Sequence, residues 1–303
     1  GVTVHGGLLL DQSAPCFGGG IYLGNSTFLI DDCAITNNET PRSGYGSTSA
    51  GGGIYAIGSV LTLSNSLVVG NRASQLGQAN SYLRGGGLAL YSGTSIVVRT
   101  VIRDNSCPAP TSQGINPAGV GVYLYYGVAE FRNCLVVTNR YGSTQIVPGV
   151  GIYNEGTATR LLHCTVADNA TQGVYLASGT VGITNSIIWG NGDELVGITT
   201  NVVYSCIKDD DFPGRSDIIH ADPQFVDQIY YHVRSKGGDY RGGYFSGGSW
   251  GSSESNSPCI DAGDPTTPRD LEVMAGDYPN LGAYGNTEVA SRTRLRGSMM
   301  FIK

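Results

Sequence analysis

The chain has 303 residues, a formal net charge of −6, 46 glycines and only 14% charged residues. The acidic balance offers no basic face to nucleic acid, and no apolar run reaches the ~18 residues of a membrane-spanning helix. Low charge with abundant glycine suits short strands joined by tight corners and argues against a coiled coil or a helical enzyme.

The opening GVTVHGG alternates at Val2 and Val4 and reads as the end of a coil. Earlier coils and a signal peptide in a longer precursor are therefore expected upstream. From Gly18 the stretch GGGIYLGNSTFLIDDCAITNN sets a pattern that returns five more times. From the last glycine of each opening to an asparagine is always 18 residues: Gly20 to Asn38, Gly53 to Asn71, Gly87 to Asn105, Gly121 to Asn139, Gly151 to Asn169 and Gly173 to Asn191. A register kept six times is the signature of a solenoid in which each copy is one coil.

Aligned copies show which side chains face inward. One column holds Ile21, Ile54, Leu88, Val122, Ile152 and Val174, a second Ile30, Leu63, Val97, Phe131, Leu161 and Ile183, and a third Ile35, Val68, Ile102, Val136, Val166 and Ile188. Between them apolar and polar residues alternate, the period of strands. Each coil is expected to hold about three short strands, with coils stacked about 4.8 Å apart. A column of small residues, Cys33, Ser66, Thr100, Cys134, Cys164 and Ser186, shares the inward parity, and Cys206 is expected to continue it. The closing asparagines fit turns whose amides bond backbone groups and the next coil. The glycine runs fit corners with no room for a Cβ.

These motifs make the chain look like a bacterial, secreted right-handed parallel β-helix repeat protein, similar to the polymorphic outer-membrane-protein type of repeat, with its GGxI opening (Gly19, Gly20, Ile21; Gly52, Gly53, Ile54) and closing Asn. The repeats cover Gly18 to about Asn191. Beyond them DPQF (Asp222–Phe225), SPCIDAGDP (Ser257–Pro265) and LGAYGN (Leu281–Asn286) resemble the terminal region of many secreted bacterial β-helix proteins. The fold class implied is all-β, a single-stranded right-handed parallel β-helix, with coils over 1–207 and an irregular capping tail over 208–303. The resemblance implies an extracellular or cell-surface location. It does not fix an activity, because the same coil hosts lyases, hydrolases, epimerases, adhesins and inert spacers.

Four excursions leave one corner of the coils: Glu39–Ala50, Arg72–Arg84, Ser106–Ala118 and Arg140–Pro148. They are expected to form a loop wall, and loops on a rigid scaffold are where function usually lives. Beside that corner Tyr22, Tyr55, Ala89, Tyr123, Tyr153 and Tyr175 form an outward column. Such rings are candidates to stack on sugar faces, and they also cover and stabilise a parallel sheet. The candidate chemical cluster is Glu130, Arg132, Arg160 and His163, where a base and a cation would serve a polysaccharide lyase. An inverting glycoside hydrolase needs two carboxylates about 6.5–9.5 Å apart, and the repeats show no such column. Glu130 with Arg160 also reads as a plain surface ion pair.

After Asn191 the register weakens. Asp209, Asp210 and Asp211 raise calcium, but the alternating acids of a calcium loop are missing, so no cofactor or metal is expected. The Gly/Ser-rich stretch 237–256 reads as a loop draped over a coil face, SPCIDAGDP as a short buried strand with Asp261 and Asp264 bonding turns, and LRGSMMFIK as an exposed strand. Seven cysteines leave at least one unpaired within the chain or bridging outward. The inward ones read as buried thiols, since parallel Cβ vectors suit a disulfide badly. Cys16 and Cys107, in loops about three coils apart, are the pair to consider if a bridge exists. Sequons at Asn25, Asn38 and Asn169 read as coincidences of composition, two of them being closing asparagines.

Three functions fit this chain. The favoured one is a surface scaffold, adhesive or glycan-associated, with glycans or other surface proteins as partners. The second is a polysaccharide-active enzyme, lyase or hydrolase, working on the outward face beside the loop wall. The third is a subunit of an extracellular assembly.

Overall fold

In the computed structural model of the chain the described residues are 1–7, 15–43, 48–75, 82–108, 116–142, 147–244, 246–269, 271–272 and 276–293. The expected strand at LRGSMMFIK and the tips of the four excursions lie outside them. The inward columns line up as their spacing requires. Ile35 pairs in parallel register with Val68, Val68 with Ile102, Ile102 with Val136, Val136 with Val166 and Val166 with Ile188. These six side chains are buried, and with Ile54, Leu63, Leu88, Val97, Phe131 and Ile152 they form one continuous aliphatic core. Stacking like on like lets every strand satisfy its backbone through the coils before and after it.

Two large parallel sheets wall this core, one of ten and one of nine strands among the described residues. In the four central copies the first two expected strands run as one ladder of 11 residues: Ile54–Ser64, Leu88–Val98, Val122–Arg132 and Ile152–Leu162. The ladder bends where the backbone is left-handed, at Gly58, Ser92, Tyr126 and Gly156 (φ 58°, 53°, 54° and 70°). A turn of one or two left-handed residues, Ser92 with Gly93 and Tyr126 with Gly127 being the longer ones, lets the pairing resume directly after it, which is why two strands merge into one. Three-residue strands such as Leu67–Val69 and Val101–Arg103 build the second sheet.

The closing asparagines form a buried ladder. The Asn71 N–H and its Nδ2 both donate to Asn105 Oδ1 (2.9 and 3.1 Å), and Nδ2 also donates to Ile35 O at 2.9 Å. Asn38, Asn105, Asn139 and Asn169 repeat the pattern toward the next coil. The left-handed residue is not the asparagine but the one before it: Asn37, Gly70, Asp104, Thr138, Asp168 and Gly190 have φ between 53° and 77°. The last rung has no asparagine to meet. Asn191 instead donates through Nδ2 and its N–H to Glu194 Oε2. Burial pushes the Glu194 carboxyl up to about 7, against the hydrogen bond from Asn191.

That substitution gives the fold a pH dependence. A carboxyl raised from 4.5 to about 7 contributes stability that is complete below pH 4.5 and lost as pH rises to about 7, because the native state then holds the proton longer than the unfolded chain. Glu272 is raised likewise by burial. Burial lowers His163 and His232 to about 4, so their contribution is lost as pH falls from 6.5 to about 4. Glu194→Gln keeps a carbonyl acceptor without the charge. Urea denaturation should find it as stable as the parent at pH 4.5 and more stable at pH 8; equal differences at both values would refute the assignment.

The small inward column is also as expected, with one change of membership. Its hydroxyls and thiols bond the carbonyl two residues back: Ser66 to Ser64 O, Thr100 to Val98 O, Cys134 to Arg132 O and Ser186 to Thr184 O. Ser205, not Cys206, continues it. The Ser205 Oγ accepts the Ser186 N–H and donates to Val203 O, and Cys206 turns to the opposite side of its strand, into an apolar cluster with Ile187 and Cys259.

The excursions are more ordered than a loop wall. Their first residues (Glu39–Ser43, Arg72–Gln75, Ser106–Cys107, Arg140–Tyr141) form one four-stranded parallel sheet, and the last residues of the first three (Thr48–Ala50, Tyr82–Arg84, Asn116–Ala118) stack with Cys16–Phe17, just ahead of the first repeat, into another. Ala73, Leu83, Cys107, Val120, Tyr141, Val147 and Val150 form a second small core there. Cys16 and Cys107 are buried on different ones of these sheets.

The tail packs against the outside of the nine-stranded sheet. Val101, Leu135, Val137 and Ala167 meet Tyr231, Ala283 and Tyr284. Tyr231 OH donates to Asp168 Oδ2 at 2.8 Å, and Asn133 Nδ2 donates to Ala283 O and Gly285 O. The stretch expected to be a draped loop contains an antiparallel hairpin, Asp239–Gly243 with Gly247–Gly251. SPCIDAGDP is a series of turns instead of a strand, with Asp261 and Asp264 accepting backbone N–H groups of Gly276 and Thr266.

Candidate functional site

Alternation on the long sheet turns Ile54 inward and Tyr55 outward, and the register carries that outward position from coil to coil. Tyr22 pairs with Tyr55, Tyr55 with Ala89, Ala89 with Tyr123, Tyr123 with Tyr153 and Tyr153 with Tyr175. The rings stack along the axis. Tyr22 and Tyr55 lie 5.5 Å apart between centroids, and Tyr123–Tyr153 and Tyr153–Tyr175 each 5.3 Å with 6° between planes. Ala89 leaves a gap, and Tyr91, two residues on and facing the same way, fills it at 5.1 Å from Tyr55 and 5.5 Å from Tyr123. The file is unbroken over six coils, and each ring pair adds about 0.5–1.5 kcal/mol beyond its burial.

This stacking changes what the column offers a ligand. Tyr55 and Tyr123 are only 3% exposed, against 56% for Tyr22, which corrects the expectation of a uniformly open row. Because neighbouring rings cover one another's faces and Tyr55 and Tyr123 are closed off, the file is open to a ligand mainly at its ends and at its half-buried rings. The hydroxyls of Tyr55, Tyr91, Tyr123 and Tyr153 stay neutral. Burial pushes Tyr55 up to about 12 and raises Tyr91, Tyr123 and Tyr153 as well.

A carboxylate and a cation complete the strip. Glu155 occupies the outward column of Tyr91 and Tyr125. It accepts the Tyr123 OH at 3.0 Å and is hydrogen-bonded to Tyr153. Arg84, on the last strand of the second excursion, places its guanidinium 5.0 Å from the Tyr82 and Tyr123 ring centres. Tyr91 and Glu155 were legible as outward by parity. Arg84 was not, since nothing in RASQLGQANSYLR announces that its end turns back over the sheet.

The expected chemical cluster divides in two. Glu130 pairs with Arg132 and, at 4.0 Å, with Arg160, whose side chain is 70% exposed. Such exposed pairs contribute under about 1 kcal/mol. His163 does not join them, which corrects its place in the cluster. It occupies a left-handed turn (φ 48°) equivalent to Asn133 and Asn185, is buried beneath the tail, and lies 3.2 Å from Asn185 Nδ2. Burial lowers its pKa to about 4, so it stays neutral and out of reach of a surface ligand. Asp209 accepts the Glu194 N–H at 2.7 Å, and among the described residues no three His, Cys, Asp or Glu side chains are placed to hold a metal ion.

Among the described residues no helix is long and apolar enough to cross a membrane. No curated protein and no solved structure matches the sequence. A family model described as a right handed beta helix region matches residues 3–161, the part of the chain that carries the first four full repeats and most of the tyrosine file. The chain belongs to that right-handed β-helix family.

Proposed function

We propose that the protein is an extracellular or cell-surface β-helix scaffold that holds glycans along the tyrosine-lined face of its long sheet, in an adhesive role and without catalysis. The observation that carries this reading is the file of stacked tyrosines edged by Glu155 and Arg84. The rings of that rigid row that stay partly open, Tyr22 at one end and Tyr153 and Tyr175 at the other, with one carboxylate and one cation beside the row, suit the faces and hydroxyls of an extended polysaccharide. Rigid aromatic side chains lose little entropy on binding, which favours contact along a long shallow surface.

The test is binding to a panel of neutral and uronate-containing polysaccharides, by array and calorimetry. Replacing Tyr153 and Tyr175 together by alanine should weaken binding at least tenfold with an unchanged circular dichroism spectrum. Absence of binding across the panel, or binding untouched by the double substitution, would sink the reading. The enzymatic reading draws on the exposed Arg132 and Arg160 beside Glu130, a cationic edge suited to a uronate. Unsaturated or shortened products from the same panel, abolished in Arg160→Ala, would put it in first place.

A further inference from the structure

Among the described residues two pairs of buried thiols are packed into shared clusters, and their settings differ. Cys134 and Cys164 are successive rungs of the inward column. The strands that follow them pair in register, Leu135 with Thr165, so the two Cβ vectors run side by side. Each sulfur is also directed at a carbonyl of the preceding coil, Cys134 at Val97 O and Cys164 at Phe131 O, both at 3.4 Å. Parallel vectors of this kind do not meet the dihedral that a disulfide requires.

Cys206 and Cys259 approach from two different elements. Cys206 stands on the strand Ser205–Ile207, on the side facing away from the aliphatic core, and Cys259 belongs to the turn after Ser257 in the tail. The two side chains share one buried cluster across that boundary, both residues are fully buried, Ile187, Val233 and Leu281 enclose them, and the Cys206 Sγ donates to Ala221 O at 3.3 Å. The two backbones are pinned independently. Cys206 N–H donates to Ser186 O at 2.9 Å, Cys259 N–H to Ser257 Oγ at 3.0 Å, and Cys259 O accepts the Leu281 N–H at 2.9 Å.

We propose that Cys206 and Cys259 are an oxidative cross-link site, whose disulfide fastens the tail to the last coils of the solenoid. The oxidant is a small-molecule or protein disulfide. One cysteine thiolate attacks the donor S–S bond and releases one donor thiol. The second thiolate attacks the protein sulfur of the mixed disulfide and releases the other. Two protein S–H bonds are lost, one S–S bond forms, and the donor gains the two electrons and two protons. The neighbouring Cys259 thiol and burial together hold the Cys206 thiol far above the ordinary thiol range, so exchange proceeds while the tail is undocked, and the finished bond is shielded from reductant. It closes a loop of about fifty residues that carries the hairpin and Tyr231, which packs on the nine-stranded sheet.

The experiment is refolding of the full chain from denaturant in a mixture of oxidised and reduced glutathione, followed by alkylation in denaturant and peptide mass spectrometry. The expected result is a peptide pair linked through Cys206 and Cys259, two hydrogens lighter than the separate peptides, with Cys134 and Cys164 alkylated. The link should vanish in Cys259→Ser. The oxidised parent should also resist proteolytic loss of its tail at least tenfold longer than the reduced parent, a difference absent from the variant. Recovery of both Cys206 and Cys259 fully alkylated in natively refolded parent, or a Cys134–Cys164 link in their place, overturns the proposal. The donor is supplied in the assay and the tyrosine file takes no part, so failure here leaves the glycan reading standing, and failure of that reading leaves the cross-link standing.

Discussion

Asn105→Ala is expected to cost about 3–5 kcal/mol of stability, enough to unfold a chain of ordinary margin. Asn105 is fully buried. Its Oδ1 receives the Asn71 N–H at 2.9 Å and Asn71 Nδ2 at 3.1 Å, while its Nδ2 donates to Val68 O and Asn139 Oδ1, both at 3.0 Å. Truncation to a methyl strands the Asn71 main-chain N–H, one Asn71 Nδ2 hydrogen and a lone pair of the Val68 carbonyl away from water, while Asn139 Oδ1 keeps the residue 105 main-chain N–H, and each orphaned group costs about 1–3 kcal/mol. Urea denaturation monitored by circular dichroism measures the loss. A change below about 1 kcal/mol would mean that coil stacking does not depend on the amide ladder.

Gly87→Ala should be comparably damaging for a steric reason, by about 3 kcal/mol or more. A Cβ there lies 2.7 Å from Gly121 O and 2.9 Å from Asn105 Nδ2. Neither group can retreat without parting two coils or breaking the ladder. Gly182→Ala is the matched control on the same sheet. Its new Cβ meets nothing nearer than Asn201 O at 3.9 Å, so its effect should stay within about 0.5 kcal/mol. Equal denaturation midpoints for the two variants would remove the corner glycines from the account of the fold.

The core was legible because coil stacking converts a position in the repeat into a position in space. Once Ile35, Val68 and Ile102 share a column, one inward-facing residue places the others. The same logic located the asparagine ladder and the crowded glycines. It failed where an element has no repeat to be compared with. The excursions differ in sequence, so their ends gave no sign of pairing into two extra sheets, and Arg84 could not be set above Tyr123. Likewise His163 belongs to the turn column with Asn133 and Asn185, and a column cannot say that a tail beginning some fifty residues later will cover it. For the tyrosines the repeat fixed which way the rings point. Stacking, which follows from the close spacing of adjacent strands, decided that the file is open to a ligand mainly at its ends and at its half-buried rings.

The amide ladder also has a direction. From Asn38 to Asn169 each asparagine amide gives one Nδ2 hydrogen to the amide oxygen of the following coil's asparagine, so along the ladder the side-chain amides are linked head to tail and their fields add along the axis. Such an array leaves partial positive charge at its carboxyl-terminal end, much as a helix does at its amino terminus. Glu194 sits at that pole and takes the last two hydrogens through Oε2, and burial still outweighs that field, holding its carboxyl up to about 7.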